Sequence, residues 1–318
     1  MSHSVKEGTL KVSPGSTLAA LLRTMRPKQW VKNVFVFIAI AFSEGRLWRQ
    51  PEQLVVAIGA FLTFCACSSA IYLLNDLVDI EKDRAHPKKR HRPLASGQLS
   101  IPVAIIAAIV LSIAVLISAY LLDFRSGSAD YGFLIVILTY ILVQGLLYSF
   151  WLKHVVILDI FIIASGFVLR AIAGAVVLDI PITPWLLVCV GLLSLFLGLG
   201  KRRAELVLLG EGASSHRRIL EEYSLPMVDQ MIGIVTSATI IAYTLFTYTS
   251  ETLQREPYPV MMATVPLVVY AIFRYIYLIH RHNEGGSPEE LALKDLPLAV
   301  SIMLYGLMVL VLMAWFPK

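Results

Sequence analysis

Long apolar runs alternate with short polar breaks along almost the whole chain. Nine apolar segments can be counted, each long enough or nearly so to cross a hydrocarbon layer that takes about 20 helical residues. The breaks between them are polar and often carry proline or glycine. The pattern predicts an all-α, polytopic membrane protein with nine transmembrane helices, the first of them short. The predicted spans are 30–43, 53–75, 100–122, 131–150, 155–178, 184–200, 226–249, 257–279 and 295–315.

The N-terminal end has a different pattern. Residues 1–15 are polar and predicted to be loosely ordered, and Ser16 can cap a short helix with leucines on one side and arginines on the other. Such a helix is typical of a segment lying on a membrane surface. Two regions are therefore predicted, an N-terminal tail with an interfacial segment (1–25) and a single transmembrane domain (26–318).

Lysine and arginine predict the orientation of the spans. With the N-terminus in the cytoplasm, the cytoplasmic segments carry twenty of the 27 Lys and Arg residues, and the external turns with the C-terminus carry five. This asymmetry follows the positive-inside rule. We therefore expect a cytoplasmic N-terminus, an external C-terminus and a multi-pass protein of the cytoplasmic membrane.

Composition narrows the class of protein. The chain is 57% hydrophobic and 15% charged, with a mean hydropathy of +0.73, which excludes an ordinary soluble domain. The net charge of +5 lies in membrane-proximal loops, which suits anionic lipids and phosphorylated substrates and argues against nucleic acid. Cys65, Cys67 and Cys189 lie in apolar spans and form no disulfide or zinc pattern.

One segment, Asn75–Pro93, combines acids with a basic run. At about 100° of turn per helical residue, Asp76, Asp79 and Asp83 fall within an arc of about 60°, and Asn75 borders it. Hard oxygen ligands at this spacing suit Mg²⁺, which binds through a few carboxylates, water and phosphate oxygens. The basic run, with Arg84, Lys89 and Arg90, could bind phosphate. The alternatives are a solvated acidic helix end and a basic run that acts only as a topology signal.

Two further groups of polar residues lie at the predicted cytoplasmic ends of later spans. Tyr148, Lys153 and Asp159 surround the connection between spans 4 and 5, with Arg170 farther along span 5; Lys201, Arg202 and Glu205 end span 6. A carboxylate inside an apolar helix is costly and normally faces a cavity or partner. The alternatives are snorkelling anchors, a structural ion or hydrogen-bond partner, and a solvated helix end.

Several motifs together resemble one family. These are Asn75-Asp76-x-x-Asp79-x-x-x-Asp83, the segments 26–33, 83–90 and 148–154 with Asp159, the stretch 165–174 around Arg170, and 200–205. In this order they resemble the UbiA-type prenyltransferase superfamily, and within it the decaprenyl-phosphate phosphoribosyltransferases. Aromatic prenyltransferases of the superfamily carry a second aspartate-rich motif after helix 6, where this chain reads Lys201-Arg202-Arg203-Ala-Glu205.

The resemblance implies transfer of 5-phosphoribose from phosphoribosyl diphosphate to a polyprenyl phosphate, with diphosphate released. It implies Mg²⁺ held by Asp76, Asp79 and Asp83 with Asn75. Phosphate groups would be bound by Lys153, Lys201 and Arg202, with Lys28 and Lys32 as weaker candidates. Asp159 would fix ribose hydroxyls or orient Lys153; Tyr148 and Arg170 would each contact a phosphate. Synthesis of an arabinose donor is the setting that this implies; a cell wall, a glycolipid and another arabinose pathway are all left open as its destination.

Two other functions compete with this interpretation. An aromatic prenyltransferase using a prenyl diphosphate donor would share the first aspartate motif, but the cationic segment after helix 6 argues against it. A transporter or lipid scaffold ranks lower, because transporter ion sites lie near the bilayer midplane and these acids are predicted at the inner interface. The oligomeric state is left open, with a homo-oligomer among the alternatives.

Overall fold

The computed structural model describes residues 14–87, 89–126, 130–181, 183–210, 218–249, 259–282 and 285–316. Within these ranges the chain is helical and contains no β-strand. Of the tail 1–15 predicted to be loosely ordered, residues 1–13 lie outside the described residues, and Pro14 and Gly15 belong instead to the first helix. The helices are α1 (Pro14–Met25), α2 (Ile38–Ala41), α3 (Pro51–Val78), α4 (Ile80–Ala85), α5 (Ile101–Ser126), α6 (Gly132–Tyr140), α7 (Tyr148–Phe150), α8 (Leu158–Val177), α9 (Pro184–Gly210), α10 (Leu225–Thr249), α11 (Val265–Arg281), α12 (Pro288–Lys294) and α13 (Leu296–Trp315).

Eight segments in the described part of the chain are long and apolar enough to cross a membrane. They match the second to ninth predicted spans and are Pro51–Val78, Ile101–Arg125, Gly132–Phe150, Leu158–Val177, Pro184–Leu208, Leu225–Thr249, Val260–Arg281 and Leu296–Trp315. Their outward positions carry large exposed apolar side chains such as Ile106, Phe124 and Leu307. Exposed apolar surface on this scale is expected for lipid contact.

The first predicted span, 30–43, is not a regular α-helix. A 3₁₀-helix covers Pro27–Phe37 and continues into the four-residue α2. The β-branched Val31, Val34 and Val36 have restricted side-chain rotamers, which lowers their helix propensity. A Cβ added at Gly174 of α8 would lie 1.8 Å from the Val36 carbonyl oxygen. The 3₁₀ segment therefore packs directly on a spanning helix, and glycine permits the approach.

Helix ends are closed by aspartates where the chain turns. Both carboxylate oxygens of the fully buried Asp123 accept backbone N–H groups at the start of α6, from Phe133 at 3.0 Å and Leu134 at 2.8 Å. Asp295 caps α13 by accepting from the Leu298 N–H at 2.9 Å. These carboxylates satisfy backbone donors that a helix leaves unpaired.

The chain divides into two compact units. The first comprises Met1–Trp30 and Cys65–Val115, and the second comprises Val31–Phe64 and Leu116–Lys318. In the first unit, α1 packs through the fully buried Ala20 against a core that includes Leu73, Leu94 and Leu99. In the second, one apolar cluster gathers α8 to α13 around side chains such as Phe196, Ile232 and Ile279.

Candidate functional site

The aspartate segment lies in the first unit, where α3 gives way to α4. Asp79 links the two helices, and the hydrogen bonds from Asp79 N to Asn75 O (2.9 Å) and from Asp83 N to Asp79 O (2.8 Å) keep the helical path. Asp76 and Asp83 are seven residues apart, so they differ by only about 20° around the helix. Each is 2% exposed. Asp79 and Asn75 are half-buried at the edge of this face.

Two arginines from other parts of the first unit neutralise these carboxylates. Arg26 Nη2 lies 2.5 Å from Asp76 Oδ1 and its guanidinium stacks 4.7 Å from the centre of the Tyr72 ring. Arg92 Nη1 lies 3.1 Å from Asp76 Oδ1 and 2.6 Å from Asp83 Oδ2. Lys89 Nζ is 3.9 Å from Asp83 Oδ1. The two buried acids thus face a single nitrogen of Arg92, and one cation bridges them.

This arrangement bears on metal binding. Within the described part of the chain, no group of three or more His, Cys, Asp and Glu side chains is placed to hold a metal ion. Asp79 lies instead 3.8 Å from Lys82 Nζ. Two hard-oxygen carboxylates converging on one cation still fit Mg²⁺, which is commonly held by one or two carboxylates plus water and substrate phosphate. The donor set supports a two-carboxylate site, with Asp79 and Asn75 at its margin.

The remaining basic residues of this region point elsewhere. Arg84 is exposed and pairs with Glu81 at 2.7 Å, and exposed Arg90 donates to the neighbouring His91 at 3.4 Å. Lys28 is exposed too. Of the predicted phosphate ligands in the basic run, the structure brings Lys89 towards the aspartates and leaves Arg84 and Arg90 away from them.

In the second unit, Asp159 is enclosed in a buried network. Its Oδ2 pairs with Arg202 Nη2, and its Oδ1 accepts from the Tyr223 hydroxyl at 2.7 Å. Arg202 Nη1 also pairs with Glu205 at 2.5 Å. Burial, reinforced by the hydrogen bond to Asp159, raises the pKa of the Tyr223 hydroxyl. The roles expected for Asp159 on ribose and for Arg202 on phosphate do not match this closed arrangement, which fastens α8 to α9.

The backbone turn at Ile157 positions the residues of this network. It has a φ of 71°, which a β-branched residue rarely adopts, and its N–H donates to the Tyr223 hydroxyl at 2.7 Å. The turn at Ile157 thereby brings the first helical turn of α8, with Asp159, under Tyr223. The Tyr223 hydroxyl thus accepts a hydrogen bond from the Ile157 N–H and donates one to Asp159.

Arg170 lies buried within α8 and bonds to neutral oxygens. It donates to Asn33 Oδ1, to the Gly166 carbonyl and to the Tyr140 hydroxyl, each at 2.7 Å. Directly after Tyr140, residues Ile141–Leu147 form a π-helical turn, a feature that often accompanies functional sites. Its Gln144 donates to the Ile162 carbonyl at 2.5 Å. This polar seam holds the 3₁₀ segment, α6 and α8 together around a positive charge.

A second group of cations meets an acid from the chain's C-terminal part. Lys32 Nζ lies 3.6 Å from Glu289 Oε1 of α12. Lys201 and Arg170 are near enough for their positive charges to act on Lys32, and Lys201 itself is exposed. Two other predicted phosphate ligands of the second unit thus act electrostatically on Lys32. Tyr148 and Lys153, at the connection before α8, are half-buried.

Comparison with known proteins identifies the fold and the family. The model of the UbiA prenyltransferase family matches residues 33–291. This chain belongs to that family. The resemblance inferred from the motifs is therefore confirmed.

Two curated UbiA relatives carry the same name. A decaprenyl-phosphate phosphoribosyltransferase of Mycolicibacterium smegmatis is 36% identical over 290 residues, which cover 89% of this chain and 88% of the relative. One of Corynebacterium glutamicum is 37% identical over 300 residues, covering 92% and 87%. The solved structure of a UbiA homolog from Archaeoglobus fulgidus bound to GPP and Mg²⁺ superposes with a TM-score of 0.68 at 17% identity, covering 93% of this chain and 99% of that one. The last comparison shows that the fold is shared.

Five residues of this UbiA protein that contact the acids and cations were not predicted individually from the sequence. Arg26 and Asn33 are the first and last residues of the motif at 26–33, and Arg92 lies in the basic run. The motifs contain these three residues but do not distinguish them from their neighbours. Tyr223 and Glu289 lie in short polar segments that carry no motif of their own. Only the tertiary contacts bring these five side chains to the acids and cations described above.

Proposed function

We propose that this protein transfers 5-phosphoribose from phosphoribosyl diphosphate to a polyprenyl phosphate and releases diphosphate. The observation that carries the proposal is the likeness to phosphoribosyltransferases over about nine tenths of both chains. The residues agree with it. Where the aromatic prenyltransferases have a second aspartate motif, α9 carries Lys201, Arg202 and Arg203, which suits a donor richer in phosphate.

In the proposed reaction an oxygen of the acceptor phosphate attacks the anomeric carbon of the ribose. The bond from that carbon to the diphosphate breaks, and in-line displacement inverts the configuration. The acceptor phosphate is already ionised at neutral pH, so the site needs no strong general base. Its residues must position the acceptor and stabilise charge on the leaving diphosphate.

The aspartate segment is proposed to receive the leaving diphosphate. Asp76 and Asp83 would hold Mg²⁺, assisted by Asp79 and Asn75; when bound, the ion supplies Lewis-acid stabilisation of the diphosphate charge. The guanidinium groups of Arg26 and Arg92 lie on the same carboxylates and are suited to bind phosphate oxygens once a metal shares the aspartates.

The cations of the second unit are proposed to bind the other phosphates. Lys32 and Lys201 are the best candidates, since both are accessible to a degree and interact electrostatically. Lys153 and Tyr148 are proposed contacts of the acceptor. Arg170 is proposed to add a positive charge from within the bundle while keeping Asn33 and Tyr140 in position, and Asp159 with Arg202 to fix the end of α9 that carries Lys201.

The proposed setting is the cytoplasmic membrane, with the substrate site on the cytoplasmic side. The excess of Lys and Arg on one set of loops supports this orientation. A ninth crossing by residues 27–41 is part of the proposal. Eleven residues of 3₁₀-helix and four of α-helix extend about 28 Å at about 2.0 and 1.5 Å per residue, close to the thickness of a hydrocarbon core of about 30 Å.

The deciding experiment uses the purified protein in detergent or nanodiscs. It is incubated with Mg²⁺ and a panel of polyprenyl phosphates, with either labelled phosphoribosyl diphosphate or labelled prenyl diphosphate plus an aromatic acceptor. Mass spectrometry should detect a phosphoribosyl lipid only with the first donor. A prenylated aromatic product and no phosphoribosyl lipid would overturn the proposal in favour of an aromatic prenyltransferase.

A further inference from the structure

The short helix α12 brings an acid to the cations of the second unit. Glu289 Oε1 lies 3.6 Å from Lys32 Nζ, and the two side chains are 22% and 29% exposed. The helix is anchored by Leu291, which is buried in the same apolar cluster as Phe196 and Ile279. Glu289 therefore has a fixed backbone and a side chain that solvent, or a ligand, can still reach.

Two glycines allow the chain before α12 to lie against α9 at Gly200. A Cβ added at Gly285 would be 2.5 Å from the Gly200 carbonyl oxygen, and a Cβ added at Gly200 would be 2.8 Å from the Tyr275 hydroxyl. Gly200 directly precedes Lys201. The tyrosine hydroxyl, the lysine-bearing end of α9 and the segment leading to Glu289 consequently converge.

Tyr275 adds an independent observation. The residue is 4% exposed, and its hydroxyl has no hydrogen-bond partner among the residues that the structure describes. It is close enough to Glu289 for an electrostatic interaction. Buried polar groups are normally hydrogen-bonded, so an unpaired buried hydroxyl needs an explanation such as a ligand.

The chemistry of the donor supplies that explanation. A phosphoribosyl diphosphate presents vicinal hydroxyl donors between two anionic ends, whereas a prenyl diphosphate presents no hydroxyl. A carboxylate accepts two hydroxyl donors, and ammonium groups bind phosphate. Asp159 cannot fill the first role here, because both of its oxygens are engaged with Arg202 and Tyr223.

We infer that Glu289 and Tyr275 form the subsite that recognises the ribose hydroxyls of the donor, beside Lys32 and Lys201 for its phosphate. The inference rests on the proposed phosphoribosyl transfer and adds its specificity-determining residues. Glu289 accepts from the vicinal hydroxyls, Lys32 transfers its ion pair from Glu289 to phosphate, and the Tyr275 hydroxyl hydrogen-bonds to the bound sugar. A site built around hydroxyl contacts rejects an analogue that lacks them.

The test compares Glu289→Gln and Tyr275→Phe with matched controls. Glu290→Gln removes an exposed neighbouring acid that pairs with Lys294 at 3.0 Å, and Tyr277→Phe removes an exposed hydroxyl on the same helix as Tyr275. KM for phosphoribosyl diphosphate and for the polyprenyl phosphate is measured separately, with kcat. A 2-deoxyribose analogue of the donor is then assayed as a competing substrate.

Glu289→Gln should raise the donor KM about tenfold or more, the size expected for losing a hydrogen bond to a charged group, and Tyr275→Phe about fivefold, the size expected for a neutral hydrogen bond. Both variants should leave the acceptor KM within about twofold. Glu289→Gln should also narrow the wild-type preference for the ribose donor over the 2-deoxy analogue. The two controls should match the wild type. An unchanged donor KM in both folded variants, or equal loss for donor and acceptor, would overturn the inference.

Failure of the proposed function is distinguishable from failure of this subsite. If the wild-type protein makes no phosphoribosyl lipid, the function is wrong; if it does and the site variants behave like the controls, only the subsite is wrong. Tyr275→Phe keeps the shape of the buried ring, so it decides the outcome if Glu289→Gln does not fold.

Discussion

At the residue scale, the decisive feature is a pair of buried carboxylates that cannot remain without a cation. Asp76 and Asp83 are both buried and both contact Arg92 Nη1. Removing one partner of a buried ion pair leaves an uncompensated charge, whose cost is about 3–5 kcal/mol. Arg26 and Arg92 therefore compensate these buried charges, and Arg92 bridges the two carboxylates.

Asp83→Asn tests the metal assignment. The substitution keeps the size of the side chain but removes one of two converging charges, so we expect the rate of phosphoribosyl transfer to fall at least about 100-fold and the Mg²⁺ concentration for half-maximal rate to rise. The measurement is the initial rate across a Mg²⁺ titration. Glu81→Gln is the control, because Glu81 is exposed and pairs only with Arg84 among the described ion pairs. A near-wild-type Mg²⁺ titration in Asp83→Asn would contradict the assignment.

Arg92→Gln tests whether a divalent ion can replace the bridging arginine. Without Mg²⁺ the variant leaves two buried carboxylates facing each other, so we expect it to unfold at a lower temperature than the wild type. Added Mg²⁺ should raise its Tm by more than it raises that of the wild type, since the ion binds only the folded state. Tm is measured in detergent with EDTA or Mg²⁺, with exposed Arg90→Gln as control. Equal Mg²⁺ shifts in all three proteins would rule out this site.

The sequence predicts only part of the arrangement around the aspartates. The seven-residue spacing of Asp76 and Asp83 is enough to predict a shared face. It cannot predict Arg26, which reaches Asp76 across a turn where its own φ is 54°. Nor can it predict that Asp159 and Arg202 lock onto each other, because the partners come from different helices.

At the element scale, hydropathy predicts long spanning helices well, since about 20 apolar residues leave few alternatives in a membrane. It does not predict the 3₁₀ segment at 27–37 or the π-turn at 141–147. These depend on local contacts, such as the approach of Val36 to Gly174 and the bond from Gln144 to Ile162. Both irregular segments flank the contacts of Arg170.

Asp295, at the start of α13, should contribute to stability in a pH-dependent way. Asp295 accepts two hydrogen bonds from Arg274, at 3.0 and 2.8 Å, and caps the helix. The hydrogen bonds from Arg274 hold the pKa of Asp295 below its usual value. A lowered folded-state pKa stabilises the protein above the unfolded-state pKa, and this contribution is lost as the pH falls through the folded value, here below about pH 4.

We therefore expect Asp295→Asn to lower Tm at pH 7 through loss of the ion pair with Arg274, since asparagine can still cap the helix. The difference from the wild type should shrink as the pH falls below about 4 and through the lowered folded-state pKa, where the wild-type carboxyl becomes protonated as well. Glu290→Gln, on the exposed surface of α12, should change Tm little at either pH. A constant difference between Asp295→Asn and wild type across this pH range would show that the charge is not responsible.

At the scale of the whole molecule, the number of crossings decides where the two ends of the chain lie. Eight crossings put both ends on the same side of the membrane and nine put them on opposite sides. The described helices supply eight candidates, and the remaining predicted span, 30–43, overlaps the 3₁₀-helix and α2 at 27–41. Val36 of the segment 27–41 packs on Gly174 of α8, so this segment lies against a spanning helix.

Reporter fusions at the two termini show whether the chain crosses the membrane eight or nine times. With nine crossings and the positive-inside orientation, a cytoplasmic reporter should be active at the N-terminus and a periplasmic reporter at the C-terminus. Reporters inserted in the basic segment 89–99 and in the turn at 179–183 serve as controls, expected inside and outside respectively. If both termini report from the same side while the controls behave as expected, residues 27–41 do not cross. Lys32 and Asn33 would then reach their partners Glu289 and Arg170 from a re-entrant segment, which a membrane protein tolerates where the non-helical backbone is buried in protein or lines a water-filled cavity.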